Sequence, residues 1–136
     1  MPHIWIEYSA NLEPDLQLEP LMQTVQDAAI GDGTVFPLAG ARTRAVPVQR
    51  YLIADGHPDN TFIHVVLKVG HGRPLAEREA CATRTFDALR AATAELMSSR
   101  PLGLSLQLEE ADPVLNYKHN NYREYLAARR GGQAGA

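Results

Sequence analysis

The sequence predicts an α+β fold in which two β-α-β units form one four-stranded mixed sheet with two helices on one face. Segments rich in β-branched and aromatic residues alternate with segments of helical periodicity, in the order β-α-β-β-α-β. A length of 136 residues with 45% hydrophobic residues suffices for one domain with one core. We expect this domain to span residues 1–130, including a short C-terminal extension, with a disordered tail over residues 131–136.

Each element of the first unit has a local signal. Residues 3–8 are rich in β-branched and aromatic side chains, which predicts the first strand. Residues 18–30 have apolar side chains at helical spacing, and Gly31 favours the end of a helix there. Residues 43–54 predict the second strand, with Pro47 indicating an edge strand or a bulge. The expected buried face of the first helix comprises Leu21, Val25 and Ala28.

The second unit begins after a dense turn signal at residues 55–60. Residues 61–69 predict the third strand, and the short connection indicates that strands two and three form an antiparallel hairpin. Residues 75–98 have a helical pattern, and residues 102–109 alternate as a strand with one buried face does. A short amphipathic segment, residues 122–130, follows. The expected buried face of the second helix comprises Ala82, Phe86, Leu89, Thr93 and Leu96.

One face of the predicted sheet has no cover. Each β-α-β unit gives a parallel pair of strands, and the hairpin joins the two pairs. With both helices on one side, the other side is left open, and apolar residues occur at both parities of residues 62–69. Because an exposed apolar face usually marks a partner surface, we expect homo-oligomerisation through it.

Composition argues against several classes of function. The formal net charge of −3 lacks the basic excess of a nucleic-acid binder. A single Cys excludes an intrachain disulfide and a thiolate zinc site. No apolar run reaches the roughly 18 residues that span a bilayer, and the N-terminus lacks the pattern of a signal peptide. We therefore expect a soluble, cytoplasmic protein with no nucleic-acid or membrane partner.

Pro2 is the first candidate for chemistry. The initiator Met is normally removed before a small second residue, which would leave Pro2 with a secondary amine at the start of a strand. Such an amine is a base only when unprotonated, and burial or neighbouring cations lower its pKa toward the range that a general base needs. A Pro in second position also occurs by chance, so this residue alone does not indicate catalysis.

Three arginines lie in Gly- and Pro-rich contexts. Arg42 and Arg44 follow an apolar loop and share one face of the second strand. Arg73 lies in a Gly-rich turn before a helix N-terminus, which itself favours anions. Guanidinium groups bind carboxylates in a planar, bidentate geometry. For any one of the three, the alternative is a solvated surface position.

Other polar residues give weaker signals. The polar segment of residues 116–121 either lines a site or forms a cap. The five His residues show no spacing typical of metal ligands, so we expect no metal. We expect His64 to be an ordinary sheet residue and Cys81 to be a small packing residue within a helix.

Six stretches between Pro2 and Tyr125 combine into one pattern. In order they are Met1-Pro2-His3, Phe36-Pro37-Leu38-Ala39-Gly40-x-Arg42-x-Arg44, Ala54-Asp55-Gly56, Phe62-x-His64-x-x-Leu67-Lys68-x-Gly70, Gly72-Arg73-x-Leu75-x-x-Arg78 and Leu115-Asn116-x-Lys118-x-Asn120-Asn121. The pattern resembles the 5-carboxymethyl-2-hydroxymuconate Δ-isomerase family of the tautomerase superfamily.

The resemblance implies a tautomerase-like subunit in a homotrimer, with active sites near subunit boundaries and neither cofactor nor metal. It implies a proton shift in an unsaturated 2-hydroxy or 2-oxo polycarboxylate, a small anionic substrate, in the bacterial catabolism of homoprotocatechuate and related aromatics. Carried over by position, Pro2, freed by removal of Met1, is the amine base. Arg42 and Arg73 bind the substrate, and Arg44 is a weaker companion.

Two other functions stay open from the sequence. One is another tautomerase-type activity on this fold, such as enol-keto tautomerisation or hydration of a smaller keto acid. The other is a non-enzymatic oligomer that binds a small molecule through the open sheet face.

Overall fold

The computed structural model describes residues 2–135, with side chains described through Gly131. Its strands are β1 (His3–Ser9), β2 (Arg42–Val48), β3 (Thr61–Val69) and β4 (Leu102–Glu110). Its helices are α1 (Leu18–Ile30), α2 (Leu75–Ala92), α3 (Ala94–Ser99) and α4 (Tyr122–Gly135), with 3₁₀ turns at Ala10–Leu12 and Leu38–Gly40. None of the helices described is long and apolar enough to cross a membrane.

The four strands form one mixed sheet in the order β2-β1-β3-β4. β1 pairs in parallel with β2, β3 pairs in parallel with β4, and β1 pairs antiparallel with β3. The two predicted parallel pairs are therefore confirmed, as is the α+β fold class. The predicted hairpin between β2 and β3 is wrong, because β1 lies between these strands and residues 49–60 carry the chain past it.

The composition of β2 explains its position at the edge. None of its seven residues is fully buried, and Pro47 has no N–H to donate to a second neighbouring strand. β3 instead buries every second side chain from Thr61 to Val69, as a strand between two others does. Pro47 therefore marks an edge strand, one of the two predicted alternatives. The strand ends at Val48, well before the predicted residue 54.

The core lies between the sheet and helices α1 and α2, which cover the same face as predicted. In α1, Leu21 and Val25 are buried as expected, with Ala29 in place of Ala28. These residues pack in one cluster with fully buried side chains of the two central strands: Ile4, Ile6, Ile63, Val65 and Leu67.

The predicted helix of residues 75–98 consists of two helices, α2 and α3. The break is at Thr93, which has a φ of −111° and a ψ of 10°. The hydroxyl group of Thr93 donates to the Leu89 carbonyl at 2.8 Å. A side-chain hydrogen bond to the carbonyl four residues earlier competes with the backbone pattern and bends the chain.

The buried face of α2 begins at Cys81 and Thr85, one residue before the expected Ala82 and Phe86. The thiol of Cys81 donates to the Ala29 carbonyl at 3.4 Å, which joins α2 to α1. Burial raises the pKa of this thiol, which favours its neutral form. Cys81 is a packing residue, as predicted.

The C-terminal part crosses residues 111–121 without helix or strand and then forms α4. The predicted amphipathic segment is a helix. α4 continues to Gly135, into the residues for which a disordered tail is predicted. An existing helix gains one backbone hydrogen bond for each residue it adds, which favours its extension. Ala136 lies outside the described residues.

Neither α1 nor α2 covers the second sheet face, which we call the open face. Strand pairing places three rows of side chains across it: Arg42–His3–Lys68–Glu109, Arg44–Trp5–Val66–Gln107 and Val46–Glu7–His64–Ser105. The open face is thus more polar than expected, because the apolar residues of β3 on this side alternate with His64 and Lys68.

Candidate active site

Pro2 lies at one end of the sheet, where β1 and β2 begin and β3 ends. Parallel pairing aligns the starts of β1 and β2, and antiparallel pairing brings the end of β3 beside them. Pro2 is buried, and its carbonyl accepts a hydrogen bond from the backbone N–H of Arg42 at 3.0 Å. The next residue, His3, lies between Arg42 and Lys68. The fold therefore places cationic side chains on both sides of His3, the neighbour of Pro2 in the chain.

Arg42 is positioned by two elements outside the sheet. Its Nη1 donates to the Gly40 carbonyl at 2.8 Å, in the 3₁₀ turn that ends the apolar loop. Its guanidinium carbon lies 4.9 Å from the centre of the Tyr122 ring, at the start of α4. A guanidinium group over an aromatic face is attracted to it. The C-terminal helix thus takes part in holding this side chain at the edge.

Arg44 lies on the open face, two residues further along β2. Its guanidinium carbon is 4.3 Å from the centre of the Trp5 ring, and its Nη2 is 3.1 Å from Nδ1 of His3. Nη1 is removed from solvent and has no hydrogen-bond partner among the described residues. Arg44 therefore retains one donor group while two neighbours fix its position.

Arg73 has a different environment. Its Nε and Nη2 donate to the Val35 carbonyl at 3.1 and 2.9 Å, and its Nη1 donates to the Gly70 carbonyl at 3.5 Å. Its guanidinium carbon lies 4.6 Å from the centre of the Phe36 ring. The side chain thereby joins the apolar loop before β2 to the turn after β3. This structural role was not apparent from the sequence.

Glu110, at the end of β4, fixes the turn that carries Arg73. It accepts a hydrogen bond from the Gly72 N–H at 3.1 Å and lies 3.5 Å from His71 and 3.7 Å from Arg78. Arg78 also donates to the Arg73 carbonyl at 3.1 Å. These contacts hold the Gly-rich turn against the end of the sheet.

A cleft of about 410 Å³ opens on the open face, lined in part by His3, the residue after Pro2. The C-terminal segment closes one side of the cleft with Asn116, Tyr117 and Lys118, which favours the first of the two interpretations of residues 116–121 for this part. Sequence reasoning did not select His3 and Lys68 as candidates. The residues that line its sheet side are His3, Trp5, Arg44, Lys68 and Gly70.

The charges around the cleft act on His3. Its pKa is lowered from the ordinary 6.5, first by burial and then by the positive charges of Arg44, Arg42 and Lys68, among others. The net charge of −3 thus hides a local positive potential at this edge. A negatively charged small molecule is the ligand that such a site favours.

A larger cleft of about 910 Å³ lies at the other end of the sheet, between the start of α1 and the end of α3. Its cationic residue Arg100 is already paired with Asp15 at 2.9 Å, and Asp59 and Glu95 add negative charge to its wall. Its size therefore does not make it a better anion site. Within residues 2–135, no group of three or more His, Cys, Asp or Glu side chains has the arrangement of a metal site.

A family model described as 5-carboxymethyl-2-hydroxymuconate isomerase matches residues 2–126. The chain belongs to this family. A curated relative from Escherichia coli, 5-carboxymethyl-2-hydroxymuconate Delta-isomerase, is 39% identical over 121 residues, which cover 89% of this chain and 95% of the relative. The resemblance stated from the sequence is therefore confirmed, and the chain is an enzyme of an isomerase family.

Two solved structures are similar to this family member along nearly the whole chain. A 5-carboxymethyl-2-hydroxymuconate delta-isomerase has a TM-score of 0.83 at 31% identity, with 93% of both chains covered. A 5-carboxymethyl-2-hydroxymuconate isomerase from Deinococcus radiodurans R1 has a TM-score of 0.86 at 28% identity, with 92% of this chain and 93% of that chain covered. The tautomerase-like arrangement of sheet and helices is therefore shared with members of this isomerase family.

We expect Arg73→Ala to destabilise the protein by about 1–3 kcal/mol, because the Val35 carbonyl loses both of its donors. Urea unfolding followed by circular dichroism, at one protein concentration, measures the change in free energy. Arg90→Ala, at an exposed position of α2, is the control and should change stability by less than about 0.5 kcal/mol. Equal stabilities of the two variants would contradict the structural role of Arg73.

Proposed function

We propose that this chain isomerises an unsaturated 2-hydroxy or 2-oxo polycarboxylate of the 5-carboxymethyl-2-hydroxymuconate type, in the breakdown of homoprotocatechuate or a related aromatic compound. The observation that carries the proposal is the placement of Pro2, buried at a sheet edge with Arg42, Arg44 and Lys68 nearby. The name of the E. coli relative supports the reaction and substrate class.

Pro2 acts as the general base in this proposal. After removal of Met1, its nitrogen is a secondary amine rather than an amide, and its lone pair is available to accept a proton. An α-amino group ordinarily has a pKa of about 7.7–8.0. The cations that lower the pKa of the adjacent His3 act on this amine in the same direction. At neutral pH a larger fraction of the amine is then unprotonated and able to act as a base.

The reaction moves one proton within the substrate. The Pro2 amine removes it from the 2-hydroxyl group of the 2-hydroxy form, or from the carbon beside the carbonyl group of the 2-oxo form; the bonding electron pair stays with the conjugated system, and a dienolate forms. The protonated amine then gives the proton to a carbon at the far end of the dienolate, the 2-oxo group forms, and the double bond changes position. Guanidinium donors stabilise the charge that develops on the dienolate oxygen. The proton balance closes within one site, so the proposed step uses no redox cofactor or metal.

In this proposal, each of the three arginines has a different part in binding the substrate. Strand pairing brings Arg42 beside the start of β1, where its backbone N–H donates to the Pro2 carbonyl. Arg42 holds the carboxylate next to the reacting carbons. Arg44 faces the cleft on the open face and binds a second carboxylate. Arg73, whose nitrogens already donate to backbone carbonyls, contributes positive charge and fixes the loop that carries Phe36.

We also propose that the functional unit is a homotrimer assembled through the open face. Half-buried Phe62 and Val66 and exposed Val46 give this face an apolar part beside its charged rows. An isolated subunit leaves these side chains in water, and contact with another copy removes them from it. The sites beside Pro2 then lie near subunit boundaries.

Retaining residues before Pro2 should abolish turnover of 5-carboxymethyl-2-hydroxymuconate. A peptide extension makes the Pro2 nitrogen an amide, and loss of a general base lowers kcat by about 10²–10⁴-fold. The measurement is the rate of substrate isomerisation by ultraviolet absorbance, with the intact mass confirming which residues are present. Pro2→Ala, with Met1 removed, keeps a primary amine and should retain measurable activity. Undiminished turnover by the extended form would rule out the amine base.

Arg42→Gln should raise KM for the tricarboxylate substrate by about 10–100-fold, the effect of losing one charge-assisted hydrogen-bonded contact. The same substitution should change KM much less for an analogue that lacks the carboxylate bound by Arg42. Steady-state kinetics on a panel of substrates with two and three carboxylates tests this difference. If the penalty is the same for every member of the panel, Arg42 does not bind a carboxylate.

The mass in solution should be three times the chain mass of 14.9 kDa. Phe62→Glu, at the end of the open face far from Pro2, should shift this mass toward that of one chain, because a charge replaces a contact between copies. Thr83→Asp, on the exposed side of α2, is the matched control and should leave the mass unchanged. Sedimentation equilibrium measures all three proteins. A monomeric wild type, or a Phe62→Glu variant with unchanged mass, would refute assembly through this face.

A further inference from the structure

Arg44 is held between two side chains of β1. The Trp5 ring lies under its guanidinium group, and the His3 and Trp5 rings are themselves stacked, with centres 5.8 Å apart and planes 25° apart. The 3.1 Å contact between Arg44 Nη2 and His3 Nδ1 completes a three-residue stack on the open face. These contacts come from side chains of the neighbouring strand, and they determine the direction of the guanidinium group.

The contact with Arg44 determines the chemical state of His3. A guanidinium group has only donors, so Nδ1 of His3 must be the acceptor and must carry no proton. The proton of the neutral ring is then on Nε2. A protonated ring has two donors and would repel Arg44 instead of binding it.

We propose that His3 is a positioning residue, whose unprotonated Nδ1 directs Arg44 toward a substrate carboxylate in the cleft on the open face. The inference rests on the proposed function, because it assigns Arg44 to one carboxylate of that substrate. It adds that the neutral form of His3 is needed for binding.

The shape and charge of the cleft support this role. His3, Trp5 and Arg44 line the cleft together, and Lys68 and Lys118 add positive charge at its sides. Nη1 of Arg44 has no hydrogen-bond partner among the residues described and is out of contact with water. A carboxylate in the cleft beside Arg44 accepts a charge-assisted hydrogen bond from the guanidinium group, and a shift of the group that exposes Nη1 would give this nitrogen an acceptor as well.

The charged surroundings keep His3 neutral near neutral pH. Burial is the first cause of its lowered pKa, and the positive charges follow. Two carboxylates are also near: Asp112 lines the cleft, and Glu109 lies 4.0 Å from Lys68. The groups that face or surround His3 are Arg42 and Arg44 of β2, Lys68 of β3, Glu109 of β4, Asp112 and Lys118 of the C-terminal segment, and the amino terminus.

The sign of the pH dependence follows from this state. Because burial and nearby cations lower the pKa of His3 from the ordinary 6.5, Nδ1 accepts from Arg44 at pH 7.5 and loses this ability as pH falls through that lowered pKa. An Asn side chain offers a carbonyl oxygen near the position of Nδ1 and does not titrate. A Leu side chain of similar bulk offers no acceptor.

The test uses propane-1,2,3-tricarboxylate as an unreactive probe, titrated into the enzyme in a calorimeter. At pH 7.5 we expect His3→Leu to bind the probe about tenfold more weakly than wild type, as loss of one oriented ionic contact implies. His3→Asn should bind within about twofold of wild type. His57→Leu, the same change at an exposed position of the turn before β3 and outside the open face, is the matched control and should bind as wild type does.

A second measurement compares wild type with His3→Asn from pH 7.5 to pH 5. The carboxyl groups of the probe titrate in the same way with both proteins. A steeper loss of affinity in wild type is therefore due to protonation of His3. This comparison stands even if His3→Leu does not fold. Equal affinities of His3→Leu and wild type, an Asn variant as weak as the Leu variant, or parallel pH profiles would each overturn the role of His3.

The outcomes separate this inference from the proposed reaction. Wild-type turnover of 5-carboxymethyl-2-hydroxymuconate tests the reaction, and probe binding tests the subsite. A wild type that turns over substrate while His3→Leu leaves both KM and probe affinity unchanged refutes only the role of His3. A wild type that binds the probe with the expected variant pattern but lacks turnover refutes only the reaction. Absence of probe binding to wild type overturns the subsite.

Discussion

The placement of β1 between a parallel and an antiparallel neighbour is the constraint on which the candidate site depends. Parallel pairing with β2 brings the start of β1 beside Arg42, and antiparallel pairing with β3 brings Lys68 to its other side. Arg42 and Lys68, which are about 40 and 65 positions after Pro2 in the chain, thus lie on either side of the start of β1. No loop has to fold over β1 to bring them there. A shift of one residue in either register would turn these side chains to the opposite face and remove the site.

The three arginines near this edge have different anchors, and the anchors explain different roles. Arg73 donates to backbone carbonyls and secures a loop, whereas Arg44 contacts side chains that leave it facing a cleft. Aromatic rings lie against all three guanidinium groups. An aromatic face orients a cation without neutralising its charge, so the ring contacts leave the positive charge of these side chains available to a ligand.

Local signals in the sequence were sufficient for most elements and for the parallel pairs, because periodicity and turn residues depend on neighbours in the chain. They were insufficient for the order of the strands. The turn signal at residues 55–60 favoured a hairpin, but it marks only where the chain reverses, not beside which strand it returns. Lys68 was missed for the same reason, since only the pairing of β1 with β3 brings it to the cleft. Arg42 could be predicted because it directly follows a distinctive loop and begins a strand parallel to β1.

His3 connects the electrostatics of the site to its proposed chemistry. It is adjacent to Pro2 in the chain, and its pKa is lowered by burial and by the positive charges of Arg44, Arg42 and Lys68. In the proposed mechanism, positive charges that attract a polyanion also favour an unprotonated amine, so binding and base activation draw on one set of side chains. The two effects differ once substrate is bound, because its carboxylates partly neutralise the cations and raise the pKa of the amine. The higher pKa makes the amine a weaker base, but it keeps the amine protonated after the first step. The amine therefore holds the proton it has removed until the dienolate carbon takes it up. A site with one base and several cations can thus perform both proton transfers without a second acid.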